Sequence, residues 1–166
     1  MATIRFGKLK DYELMLSRLE SGSEEIAGKA IYAGAKIIAD QVKENLNRLN
    51  TSTQQIAMIS AREEKPTYIT DTAKDALIKS FGITPMQKDA DGMYNVKLGF
   101  DGYNSIKTNK YPKGQPNQLI ARACESGSSA MIKQPFMRDA VNKSKRAAVN
   151  KMAEVLDAEI KKKVGD

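Results

Sequence analysis

At 166 residues, 41% hydrophobic and 28% charged, the chain is long enough for one domain with a proper core and has the composition of an ordinary globular protein. The absence of histidine and the presence of a single cysteine, Cys124, exclude a Ser-His-Asp relay, a Cys-His pair, an imidazole metal ligand, a disulfide within the chain and a Cys-based zinc site. The net charge of +7 keeps nucleic acid among the partners to be weighed, while the lack of an apolar run of about 18 residues argues against a membrane span.

Met1-Ala2-Thr3-Ile4-Arg5 lacks the charged start and apolar block of a secretion signal, so synthesis in the cytosol is expected. The first predicted helix spans roughly Lys8 to Glu20, with Leu9, Tyr12, Leu16 and Leu19 at helical spacing and Ser21-Gly22 as a stop. Ser23 restarts the chain into a longer helix ending at Leu49, with Glu24 and Glu25 at its N-terminus, where the helix dipole favours negative charge. Ile31, Ala35, Ile38, Val42, Leu46 and Leu49 form its apolar stripe. Ala30, Ala33, Gly34 and Ile37 widen that stripe and are small enough, for the most part, to let another element approach closely. Ser52 or Thr53 caps a short helix through Gln54, Ile56, Ile59 and Ala61 that Pro66 ends. Thr70 and Asp71 cap the next, which carries Ala73, Ala76, Leu77 and Ser80 up to Phe81-Gly82.

Beyond Gly82 the period becomes alternating. Tyr94, Val96, Leu98 and Phe100 share one face of a strand from Met93 to Phe100, and Asp91-Gly92 is the turn joining it to a strand from Ile83 to Lys88. Asp89-Ala90-Asp91-Gly92 begins like a calcium loop. Strand residues nevertheless follow where further oxygen ligands and a twelfth-position glutamate are needed, so the segment reads as a turn. From Asp101-Gly102 a polar stretch through Asn104, Ser105, Lys107, Thr108, Asn109 and Lys110 reaches Tyr111-Pro112, either an arm toward a neighbouring subunit or a solvated loop.

Pro116 or Asn117 then opens a helix that Gly127 ends, and Pro135 opens the last helix. That helix runs to about Val164 with Met137, Val141, Ala148, Met152, Val155, Leu156 and Ile160 along one stripe, and Lys161-Lys162-Lys163 complement its C-terminal dipole. Gly127 and Pro135 together make a rigid corner between two helices. Cys124, among Ala121, Arg122 and Ala123, reads as a small buried hydrophobe with no general base nearby in sequence. The elements assemble into one α+β domain, a small antiparallel sheet packed against long helices.

The corner comprises the run Leu119-Ile120-Ala121-Arg122-Ala123, the turn Glu125-Ser126-Gly127-Ser128 and the start Gln134-Pro135-Phe136-Met137-Arg138. It resembles the tail-completion, or head–tail joining, family of tailed bacteriophages, small neck proteins of long-tailed phages and prophages. Ala33-Gly34-Ala35-Lys36-Ile37-Ile38-Ala39-Asp40 and Leu77-Ile78-Lys79-Ser80-Phe81-Gly82-Ile83 extend the resemblance over most of the chain from about Ala27, while Cys124 and Asp139 depart from it. The resemblance implies a virion structural protein, made in the host cytoplasm, whose subunits form a ring between the capsid connector or adaptor and the tail-tube or tail-terminator proteins. Alanine-rich helix faces also suit a monomer that assembles only when its partner is present.

On this reading the interface candidates are Glu125, Gly127, Ser128, Ser129, Gln134, Phe136 and Arg138, with Arg138 suited to pairing with a carboxylate, and the alternative for Phe136 is a place in the core. A rival reading is a basic accessory protein that binds DNA without sequence preference through Lys143, Lys145, Arg146 and Lys151. No stacking platform, recognition helix or zinc module accompanies them, and a solvated helix face explains them too. An enzyme fits worst, since neither a glycine-rich phosphate loop nor a paired nucleophile and base appears, and no catalytic residue, cofactor or metal is assigned.

Overall fold

The computed structural model describes residues 9–165, among them the side chains of residues 19–164; Met1 to Lys8, and the side chains of Leu9, Tyr12 and Leu16 in the expected first stripe, lie outside. The two helices expected on either side of Ser21-Gly22 are one, α1, Leu9–Asn47. The helix runs on through Gly22, where the side chain of Lys163 lies close by, its Cε 2.6 Å from where a Cβ would stand. Ser23 bonds back to the Glu20 carbonyl at 3.1 Å instead of capping a new helix, a bond that a helix interior accommodates.

The partner of α1 is α5, Met137–Gly165, the other long helix. The two run antiparallel, with Gly22 beside Lys163 and Gly34 beside Met152, whose sulfur would lie 2.6 Å from a Cβ at position 34. The small residues expected to permit close approach do so here, and the buried line on α1 runs through Ile26, Ala30, Gly34, Val42 and Leu46. On α5 the innermost residues are Ala140, Ser144 and Ala148, whereas Leu156, expected on the inner stripe, is exposed. Ser144 escapes the cost of burial by donating to the Ala140 carbonyl at 2.6 Å.

Farther along, Lys29 joins Glu25 at 2.8 Å and Glu159 at 2.7 Å, and Glu159 also takes Lys162 at 2.7 Å. Lys162, then Lys29, hold the Glu159 carboxyl down to about 2 from 4.5, and Lys29 lowers Glu25 likewise. A depressed carboxyl stabilises the fold above its unfolded value and loses that contribution as pH falls through the folded one. The melting temperature followed by circular dichroism is therefore expected to drop between pH 4.5 and about 2, and the drop to be slightly shallower in Glu159→Gln, the exposure of its partners Lys29 and Lys162 keeping the difference small.

After α1 the chain forms β1, Thr51–Ser52, α2, Gln54–Arg62, β2, Ile69–Thr70, and α3, Asp71–Ser80. Thr53, of the two candidate caps, accepts from the Ile56 amide, and Thr70 caps α3 through the Ala73 amide, both at 3.3 Å. Ser52 instead shares a 2.7 Å hydrogen bond with Thr67, and β1 pairs with β2 in parallel, a ladder the sequence reading did not include.

The expected hairpin follows as β3, Phe81–Ile83, β4, Gln87–Lys88, β5, Tyr94–Asn95, and β6, Leu98–Phe100. Phe81 faces Phe100 and Ile83 faces Leu98, but Gln87 faces Asn95, so Pro85 and Met86 stand opposite Val96 alone. This bulge divides each of the two expected strands, Ile83 to Lys88 and Met93 to Phe100, in two. It suits a proline that has no amide to give, and it turns the Met86 amide toward α1, where it donates to the Tyr32 hydroxyl at 2.7 Å. At the tip Asp89 Oδ1 accepts from the Asp91 and Met93 amides, the carboxylate serving the turn. The hairpin and α5 thus flank α1 on different sides, and α4, Asn117–Ser126, closes the core beneath them around Val42, Leu46, Ile69, Leu77, Cys124 and Phe136. The fold is α+β, as expected. Among the described residues no helix is long and apolar enough to cross a membrane.

Candidate functional site

The corner after α4 is built almost entirely from local rules. Gly127 takes φ +79°, which a side chain would resist, and its amide caps α4 through the Ala123 carbonyl at 2.8 Å. Ser128 Oγ accepts from the amides of Ala130 and Met131, tightening the turn. Gln134 then docks on the end of α1, accepting from the Asn50 amide at 2.9 Å and donating to the Asn50 carbonyl at 3.1 Å.

Glu125 explains why α5 starts at Met137 and not at Pro135. Its Oε2 accepts from the Phe136 and Met137 amides at 2.8 Å each and its Oε1 from the Arg138 amide at 3.0 Å, so one carboxylate serves three of the donors that the first turn leaves without partners. Phe136 is 1% exposed, and its carbonyl accepts from Asn45 Nδ2 at 2.9 Å. Of the interface candidates, Glu125, Gln134 and Phe136 are therefore committed inside this chain, their polar groups or rings already occupied. Ser128 serves its own turn from an exposed position, Gly127 is half-buried, and Ser129 and Arg138 face solvent.

The basic residues do not form one track. At about 100° per residue, Lys145 lies about 160° across α5 from Lys143, whereas Arg146 lies only about 60° from Lys143 on the same face. Lys151 is half-buried and paired with Glu154 at 2.8 Å. Cys124 is fully buried, and burial pushes its thiol up to about 11, as a small core residue requires.

Two surface features were not singled out from the sequence. None of the nine residues of α2 is buried, and Ile56, Met58 and Ile59 are all exposed, Met58 at 61%. Helical spacing puts Ile56 and Ile59 on one side and Ala57, Met58 and Ala61 on the other, where they line a groove of about 780 Å³ with Tyr68, Ile106, Ile120 and Met131. A residue pattern that is apolar on two sides has no single stripe to read.

The second feature is a polar notch of about 510 Å³ between α3 and the start of α4. Asp75 and Lys79 come from α3, Asp101, Tyr103, Asn104 and Ser105 from the polar stretch, and Asn117 from α4. The polar stretch folds back on itself, bridging Tyr103 to Pro116, with Asn104 Oδ1 accepting from the Ile106 and Gln115 amides and Asn117 Nδ2 donating to the Asp101 carbonyl at 2.8 Å. It is thus a pinned return loop and not a free arm at its base. The chain matches no family model, no curated protein and no solved structure.

Proposed function

We propose that this chain is a structural subunit of the head–tail junction of a long-tailed phage or prophage, completing the tail by assembling with copies of itself and with connector and tail proteins. The observation that carries the reading is α2, with no buried residue and Ile56, Met58 and Ile59 in solvent beside an apolar groove. A helix of nine residues is too short to be stable on its own propensity, so a surface that covers it adds stability the monomer lacks. The resemblance of the corner to phage neck proteins adds the place of assembly, and the rigid cap at Glu125 supports it, because a fixed corner presents the same outward residues in every subunit.

The test is electron microscopy of particles from a strain lacking the chain. Separate filled heads and free tails are expected, and the paired variant Ile56→Ser with Ile59→Ser, folded by circular dichroism, is expected to reproduce them. Intact particles without the chain would remove the assembly reading and bring DNA binding forward. That alternative requires affinity that survives physiological salt and falls when Lys143, Lys145, Arg146 and Lys151 are neutralised together.

A further inference from the structure

We infer that the return loop from Asn104 to Gln115 is a contact for the phosphate backbone of nucleic acid, made by Lys107, Lys110 and Lys113. Between Asp101 and Glu125 the sequence holds no carboxylate but four cations, Lys107, Lys110, Lys113 and Arg122, so this stretch alone supplies four of the net seven positive charges. All four are exposed. Among the described residues none of them belongs to an ion pair. Like charges so close in sequence repel one another, and no carboxylate of the fold offsets them.

The loop is built to hold these lysines in place. The Asn104 amide donates to the Gln115 carbonyl at 2.9 Å and the Gln115 amide to the Ile106 carbonyl at 3.1 Å, which joins its two legs. At the tip Thr108 and Tyr111 exchange amide–carbonyl hydrogen bonds at 3.2 and 3.0 Å, and Thr108 Oγ1 accepts from the Tyr111 amide at 3.1 Å. Gly114 takes φ +116°, and a Cβ there would lie 2.0 Å from the Asn104 carbonyl oxygen, so only glycine lets the legs close. Ile106 packs against the core and anchors the loop from within. Lys107 stands before the tip, Lys110 in it and Lys113 after it. The Lys110 ammonium lies 5.6 Å from the centre of the Tyr111 ring, a contact that steadies the cation without neutralising it. Groups ordered before binding lose less freedom on binding.

The chemistry favours nucleic acid over an acidic protein. Protein interfaces are depleted in lysine and centre on apolar or aromatic anchors, whereas surfaces that bind nucleic acid are strongly positive. The apolar member of the loop, Ile106, is turned to the core, and its exposed neighbours Ser105, Thr108 and Asn109 are of the types that join lysine in bonding phosphate oxygens. Phosphate contacts carry no base information, so the binding is independent of sequence.

Fluorescence anisotropy of a labelled mixed-sequence DNA duplex, titrated with the purified chain over a range of salt concentrations, tests this. Lys107→Gln, Lys110→Gln and Lys113→Gln together are expected to weaken binding at least about tenfold at low salt and to flatten the log–log salt slope by about 3. Neutralising Lys143, Lys145, Arg146 and Lys151 is expected to change that slope by less than about 1. Circular dichroism checks the fold of each variant; should the triple variant unfold, Lys113→Gln alone, outside the turn at the tip, should flatten the slope by about 1. No binding by the parent chain at low salt, or an unchanged slope in a folded loop variant, overturns the contact. Displacement of the duplex by polyglutamate as readily as by unlabelled DNA of equal charge overturns it in favour of an acidic protein. The outcome is separate from the assembly reading, which particles from the strain lacking the chain decide.

Discussion

Phe136→Ala is expected to cost about 3–5 kcal/mol of folding stability, the range for removing a fully buried aromatic ring. The ring of Phe136 meets Phe100 edge to face at 5.8 Å and 82°, and Phe100 meets Phe81 at 5.2 Å, so three rings tie the corner to the hairpin. The backbone of Phe136 is held at both ends, its amide by Glu125 and its carbonyl by Asn45, so the site cannot collapse around an alanine. A cavity would remain where α1, the hairpin and α5 meet. Urea unfolding followed by circular dichroism measures the loss, and Phe136→Leu should recover a large part of it. A loss below about 1 kcal/mol would mean that the ring is not part of this core and return Phe136 to the list of contact residues.

Glu125→Ala should rank next, at about 2–3 kcal/mol, above an ordinary cap substitution because one carboxylate serves three amides at the positive end of a helix. Glu125→Gln should fall between, since an amide group keeps one acceptor oxygen and loses the charge. The same unfolding measurement separates the three proteins. An alanine variant as stable as the parent would show that water replaces the carboxylate without cost. Because Glu125 acts within the chain, the loss must appear in the isolated protein; a defect seen only in particles would make it a contact residue instead.

Much of this fold was legible because it follows from local pattern. Val42, Leu46, Leu49 and Leu77 were placed by helical spacing and are buried, Thr70 was read as a cap and caps, and Asp91-Gly92 closes the hairpin. What was not legible depends on residues far apart in sequence. Gly22 has the look of a stop, yet α1 runs through it with Lys163 alongside. The start of α5 seemed set by Pro135, but the group that fixes it is Glu125, on the preceding helix across an intervening turn. The inner face of α5 is made by Ala140 and Ser144, residues that a search for large apolar side chains passes over. The notch escaped notice for the same reason, since it draws on α3, the polar stretch and α4.

The pairing of α1 with α5 also bears on how the chain is made. Lys29 and Glu159 are 130 positions apart, so the apolar line of α1 through Ile26, Ala30 and Gly34 emerges from the ribosome long before the helix that covers it. At roughly 5–20 residues per second, that line waits uncovered for some 6–25 seconds. Closing so large a loop carries a high entropic toll and slows the final docking step, during which early α1 segments of neighbouring nascent chains can find one another. Expression at low temperature or with a holdase chaperone should therefore raise the soluble yield of this chain more than any change to its hairpin or turns.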